Sequence, residues 1–199
     1  MVTPASQPIY CPCIVTLDSP NADVLRKQTN DINLNELSKA SEVARELLQA
    51  IEPLRPAAGL AAPQIGREES VFIFSPDRQN YIVAVNPSYE PEGDEKVAGW
   101  EACFSTKETS QGFQMTLVER YVTISAKYYD LEGSTYVERI SGFAAKVFQH
   151  EMDHLKGVLN IDRPEAVVKV FSTKEEMDDF MASVKKEDAK TYNTIKLSS

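Results

Sequence analysis

Both histidines of the chain fall in one five-residue stretch, His150-Glu151-Met152-Asp153-His154, which has the form H-E-x-x-H. On an α-helix, residues four apart lie one above the other. Two imidazoles can then hold one ion while Glu151, a step around the surface, reaches a water on it. The chemistry this supports is metal-assisted hydrolysis, with two ligands and a base drawn from a single helix. A chance match on a solvated helix is the plainer alternative. Against it stand the concentration of all the histidine in one motif, the apolar flanks Phe143, Val147, Phe148 and Leu155, and Gly157 as a helix stop. Phe143, Val147, His150 and His154 share one stripe, so the imidazoles are expected to face inward, where a buried ring needs a partner and a metal ion supplies one.

Two histidines leave an ion short of a third protein ligand, and that ligand separates the reaction classes. Downstream, Glu175 or Glu176 lies at about the separation used by glutamate-type zinc peptidases. Upstream, Cys103 offers a thiolate, although a free cysteine is more often a small buried hydrophobe. Spacing alone leaves both open.

The helix needs a scaffold to bring a third ligand to it. Asn33 followed by Glu36 reads as a capped start to an amphipathic helix carrying Leu37, Ala40, Ala44, Leu47, Leu48 and Ile51, ending before Pro53. Pro53, Pro56, Gly59 and Pro63 then mark a shaped loop. Val71 to Phe74 and Tyr81 to Val85 read as strands, the second closed by Asn86-Pro87. Tyr121 to Tyr129 places Val122, Ile124, Ala126 and Tyr128 on one face, and with Thr135 to Ile140 it forms a hairpin leading into the histidine helix. Thr173 and Glu176 suggest a capped final helix holding Met177, Phe180, Met181 and Val184 as a packed cover, followed by a disordered end.

Composition bounds the function. The chain has 199 residues, 42% hydrophobic and 26% charged, which suits one soluble domain spanning 1–199. Within it, 1–20 reads as an N-terminal extension and 165–199 as a C-terminal helix and tail. The net charge of −9 and the lack of a basic run argue against a nucleic-acid partner. No apolar run approaches the roughly 20 residues of a membrane span. The first residues match neither a signal nor a transit peptide, so a cytoplasmic location is expected. Three cysteines are too few for a disulfide scaffold and fit a reducing compartment, with Cys11 and Cys13 read as ordinary thiols.

Three ordered stretches resemble peptide deformylase. Gly59-Leu60-Ala61-Ala62-Pro63-Gln64-Ile65-Gly66 is similar to that family's G-L-A-A-x-Q loop, Glu101-Ala102-Cys103-Phe104-Ser105 to its E-G-C-L-S segment, and Gln149 to His154 to its Q-H-E-x-D-H helix. The likeness runs from about Asp23 to Leu159. It implies an α+β fold, with antiparallel sheets around a central helix carrying H-E-x-x-H. It also implies one divalent ion held by Cys103, His150 and His154, natively Fe2+, with Zn2+, Ni2+ or Co2+ as alternatives. By the same likeness Glu151 moves the proton, the Gln64 amide and the Phe104 N–H steady the developing oxyanion, and Glu101, tied to Arg120, orients a ligand histidine. Ala58 and Gly59 would pair with the substrate as an added strand. The implied substrate is an N-formyl-methionyl nascent chain, met by a monomer passing near the ribosome.

The chain also departs from the family. Alanine stands at 57 and 102 where glycine is usual, Phe104 replaces leucine, and the link from Thr106 to Met115 is longer and lacks the customary proline. An alanine would be strained if either site demands positive φ. Three functions therefore compete: deformylation, a peptidase using Glu175 or Glu176 as zinc ligand, and a non-catalytic relative that binds formyl-peptides or metal.

Overall fold

The computed structural model describes residues 14–110 and 112–184. Cys11 and Cys13, and the end expected to be disordered, lie outside the described residues.

The elements run α1 (Ser38–Ile51), β1 (Gly59–Ala61), β2 (Val71–Phe74), β3 (Ile82–Pro91), β4 (Lys96–Glu101), β5 (Glu108–Thr109), β6 (Gly112–Tyr121), β7 (Thr123–Tyr129), β8 (Thr135–Ser141), α2 (Gly142–Leu155) and β9 (Val167–Phe171), with helical residues again at 174–184. The strand pairs are antiparallel. One sheet has the order β1-β2-β3-β7-β8; in the other, β6 pairs with β4 and β5 and with β9. The fold is α+β, and α2 carries the histidine motif against both sheets, as the sequence led us to expect.

Hydrophobic pattern accounts for this layering. Residues Ala40, Val43, Leu47, Ala50 and Ile51 of α1 bury against Leu60, Val71, Ile73 and Val85 of the five-stranded sheet. The opposite face of that sheet gives Phe72, Phe74, Ile124, Ala126 and Tyr128 to a second core shared with Ala145, Phe148, Met152 and Leu155 of α2. Phe148 stands edge-on to Phe72 and Phe74, with centroids 5.0 and 5.4 Å away, an arrangement that suits the ring quadrupoles. A smaller core of Met115, Phe171 and Met177, with Trp100, Ala102 and Phe180 against it, joins the second sheet to the final helix.

Several boundaries differ from the sequence reading. The first helix begins at Ser38, because Asn33 spends its side chain on a local turn, accepting from the Asn35 N–H at 3.1 Å. Leu48 stays exposed on that helix. Asn86-Pro87 does not close β3. Asn86 adopts φ 47 in a bulge between Val85 and Ser88, its side chain gripping the Ile32 backbone by two 2.8 Å hydrogen bonds, and the strand continues to Pro91. Residues 167–171, placed in a C-terminal helix and tail, form a strand on β6 before the final helix. That helix starts as expected, with the Thr173 hydroxyl accepting from the Glu176 N–H and Glu176 accepting from the Ser172 N–H. The 106–115 link is a short hairpin of β5 and β6.

Candidate functional site

α2 starts directly after β8 and ends at Leu155, and the chain turns away at Gly157, whose φ of +70 and whose approach to Arg26, 2.6 Å from a built Cβ, leave room for glycine alone. Gln149 fixes the helix laterally. Its amide donates to the Tyr121 carbonyl at 2.9 Å and accepts from the Tyr121 N–H at 3.0 Å, so it mimics a strand neighbour at the end of β6. That holds His150 and His154 opposite the loop after β4.

The loop delivers Cys103, held in a turn where its carbonyl accepts from the N–H groups of Thr106 and Lys107. Cys103 Sγ lies 3.2 Å from His154 Nε2, and the ligand atoms of Cys103, His150 and His154 all fall within 4.8 Å of one another. Tetrahedral coordination at the usual bond lengths sets such atoms roughly 3.6 Å apart, so the cluster has the size of a metal site. Glu175 and Glu176 do not join it. Both are exposed, and Glu176 serves its own helix start.

Electrostatics points the same way. Burial alone would push the Cys103 thiol up, but the charge of His154 and hydrogen bonds from both imidazoles hold it well below the usual thiol range. Burial likewise opposes charge on His150, yet the Glu101 carboxylate and Cys103 raise it well above the usual imidazole range. The Glu101 carboxylate and the Cys103 thiolate thus make surroundings that favour positive charge at the centre of the cluster, which a bound cation can supply in place of the imidazole proton. His154 Nδ1 and Glu151 Oε2 are buried with no hydrogen-bond partner among the described residues.

Behind the ligands sits a buried ionic network. Glu101 accepts Arg120 at 2.9 and 3.0 Å through both oxygens, and its Oε2 lies 2.8 Å from His150 Nδ1. The second arm of Arg120 binds Asp153, which Arg163 also approaches. His150 is thereby left with Nε2 toward the cluster. His150 and Arg120, working against burial, hold the Glu101 carboxyl well below the usual range.

Glu151 lies on the other side. Burial pushes its carboxyl up to about 7 against the pull of the two histidines. It reaches this position because residue 59 is glycine, where a Cβ would stand 2.5 Å from Glu151 Oε1. Gln64, in the 3-10 turn Ala62–Ile65, is clamped at both ends. Its Oε1 accepts from the Ala61 N–H at 2.9 Å, while Nε2 donates to Ser105 Oγ at 3.2 Å and to Cys103 Sγ at 3.6 Å. The Phe104 N–H engages no acceptor among the described residues, and the Phe104 ring carries Lys107 Nζ 4.2 Å from its centroid.

Among the described residues, strand β1 pairs with β2 on one side only. The Ala58 carbonyl accepts from Ser75 at 2.7 Å on that side, so strand alternation turns the polar groups of Gly59 to the open edge. Of the two residues expected to meet substrate, Gly59 is the one that faces outward. The alanines at 57 and 102 carry no strain: the non-glycine residues with positive φ among those described are Arg78 and Asn86.

The sequence reading gave no role to Ser105 or Gln149, although both stand in the quoted motifs and hold Gln64 and α2 in place. Residues 15–17, assigned to an extension, bond to this site through Val15 N–H to Gln64 carbonyl and Leu17 N–H to Ser105 carbonyl.

With this geometry in view, residues 13–170 match the polypeptide deformylase family. A peptide deformylase of Bifidobacterium adolescentis is 32% identical over 182 residues, covering 79% of this chain and 75% of the relative. Peptide deformylase 2 of Vibrio cholerae is 34% identical over 151 residues, covering 75% and 83%. Among solved structures, the Thermotoga maritima peptide deformylase superimposes with a TM-score of 0.66 at 30% identity, covering 77% of this chain and 97% of the other. A Met-Ala-Ser-bound class I type b enzyme from Acinetobacter baumannii gives 0.67 at 28%, covering 77% and 99%.

Proposed function

The chain belongs to the polypeptide deformylase family, and from that premise we propose that it removes the N-formyl group from the formyl-methionine end of newly synthesised polypeptides, releasing formate. The observation that carries this reading is the meeting of Cys103, His150 and His154 within 4.8 Å beside a buried carboxylate, Glu151. The mixed thiolate and imidazole set supports a divalent ion, with Fe2+ as the native choice and Zn2+, Ni2+ or Co2+ as substitutes. When bound, the ion supplies positive charge that acidifies water and polarises the formyl oxygen.

The protein's own groups do the rest. Glu151 accepts a proton from the attacking water and hands it to the departing amine, a task matched by a carboxyl pushed up to about 7. The Gln64 amide and the Phe104 N–H donate to the oxygen as it gains charge, and the clamp on Gln64 aims its amide before substrate arrives. Glu101 and Arg120 orient His150. Gly59 offers the open edge of β1 to an extended peptide, binding main chain without regard to sequence, and this reading brings to our chain the Met-Ala-Ser bound by the Acinetobacter enzyme.

The reading extends to one domain over 1–199, acting as a monomer in the cytoplasm near the ribosome. Among the described residues no helix is long and apolar enough to cross a membrane. The peptidase alternative loses its ligand with Glu175 and Glu176 exposed, and a non-catalytic relative loses its rationale with Ala57 and Ala102 unstrained.

The test compares anaerobically prepared, iron-loaded protein on formyl-Met-Ala-Ser and acetyl-Met-Ala-Ser. Formate release, with the acetyl peptide left intact, is expected, because a tight site admits hydrogen but clashes with methyl. Cleavage of internal peptide bonds, with metal retained in a Cys103→Ala variant, would overturn it in favour of the peptidase.

A further inference from the structure

The two faces of the sheet at β1 lead to different side chains. Ala61 of β1 belongs to the core shared with α2, whereas Leu60 belongs to the core shared with α1, and Phe104, the residue after the ligand cysteine, packs against that second core. The Phe104 ring carries Lys107 Nζ 4.2 Å from its centroid. Lys107 is tied to the metal-ligand loop, its N–H donating to the Cys103 carbonyl at 2.7 Å. Its half-buried ammonium makes no hydrogen bond or ion pair among the described residues. Burial and Lys174 press against its charge and outweigh Glu108, Asp178 and Cys103, with Asp178 already engaged by Lys174. A cation thus stands on an aromatic face beside the cluster without a carboxylate to match it.

Resting on the deformylase reading, strand geometry fixes which substrate residue meets Lys107. The cluster lies at the Ala61 end of β1, since Gln64, 3.6 Å from Cys103 Sγ, accepts from the Ala61 N–H. A formylated peptide anchored there runs back along the open edge, antiparallel to β1, with its first residue opposite Gly59 and beside Glu151. Residues paired across two strands share a face of the sheet, and successive residues alternate between faces. A Cβ on Gly59 would stand 2.5 Å from Glu151 Oε1, so the first side chain points toward α2. The second side chain then points to the opposite face, where Phe104 lies with Lys107 on its ring. We propose that Lys107 is a specificity-determining residue for the second residue of the formylated substrate, favouring an acidic side chain there. The edge of β1 binds main chain whatever the sequence, and Lys107 adds a preference to it. A glutamate carboxylate gains a charge-assisted hydrogen bond from the ammonium, while a lysine in the same place meets Lys107 and Lys174 as like charges and is disfavoured.

The test compares kcat/KM for formyl-Met-Glu-Ser and formyl-Met-Gln-Ser, which match in shape and differ in charge, using the metal-loaded protein, Lys107→Met and Lys107→Arg. The Glu-to-Gln ratio should be about fivefold, fall to about one in Lys107→Met and be kept in Lys107→Arg. A ratio below about twofold in the unaltered protein overturns the proposal. So does a ratio that Lys107→Met fails to halve, because a merely structural lysine would slow both peptides alike. If neither peptide releases formate, the deformylase reading fails by itself. The ratio of dissociation constants for Met-Glu-Ser and Met-Gln-Ser then decides the role of Lys107 by the same thresholds.

Discussion

The two faces of α2 are built on different principles. One face sets Ala145, Phe148, Met152 and Leu155 into a core of aromatic and aliphatic side chains. The other carries His150, Asp153 and His154 into a buried network with Glu101, Arg120 and Cys103. The apolar face depends on volume, which neighbouring side chains can partly restore by shifting. The polar face depends on charge balance and direction, where losing one group leaves another buried and unpaired. The difference teaches that the helix is fixed by its apolar side so that its polar side can be held in an arrangement water would not tolerate.

The sharpest way to break that contrast is Arg120→Met. It removes the cation that Glu101 and Asp153 share, leaving only His150 beside the one and the more distant Arg163 beside the other, and a loss of about 3–5 kcal/mol in denaturant unfolding is expected. A loss below about 1 kcal/mol would show that the network is not charge-balanced as described.

Glu151 tests the cost of the polar face through pH. A carboxyl raised in the folded state binds its proton more tightly there than in the unfolded chain. Stability of the metal-free protein should therefore fall as pH rises from the ordinary 4.5 to about 7, and stay unaffected by this group below that window. The fall amounts to up to about 3 kcal/mol, and Glu151→Gln should remove it in melts followed across pH. An unchanged profile would mean that the carboxyl is not raised.

Glu101→Gln separates orientation from fold. It should weaken metal binding by about 10–100-fold in chelator competition, as loss of a carboxylate behind a ligand histidine does elsewhere. Equal affinity would show that His150 needs no such partner. Smallest is Met152→Leu on the apolar face, a volume-conserving change expected to cost less than about 1.5 kcal/mol with metal affinity unchanged. A drop in affinity as large as that of Glu101→Gln would erase the distinction between the faces.

What could be read in advance follows the same division. The histidine helix, β7 and the final helix were legible because local periodicity agrees with their burial, and β8, exposed along almost its whole length, was legible from the turn residues that precede it. Strand β9 was not, since Val167, Val168, Lys169 and Val170 are all exposed and show no inward alternation. The start of α1 and the end of β3 were misread because Asn33 and Asn86 spend their side chains on turn and bulge contacts rather than on the boundaries their types suggest. In the site, two ligands and the base were visible as a helical repeat. Cys103, Gln64 and Glu101 come from loops and a strand end with no periodic signal, and only their likeness to family motifs pointed to them. The fit of Lys146 to Gly99, and of Glu151 to Gly59, arises from tertiary approach and has no signature along the chain.

The most direct measurement of the central claim is formate release from formyl-Met-Ala-Ser by iron-loaded protein and by Glu151→Ala, with metal content and folding matched. Turnover that falls by at least about 10²–10⁴-fold in the variant is the result expected of a buried carboxylate moving the proton. Equal turnover by the two proteins would contradict the account, leaving the cluster of Cys103, His150 and His154 without its base.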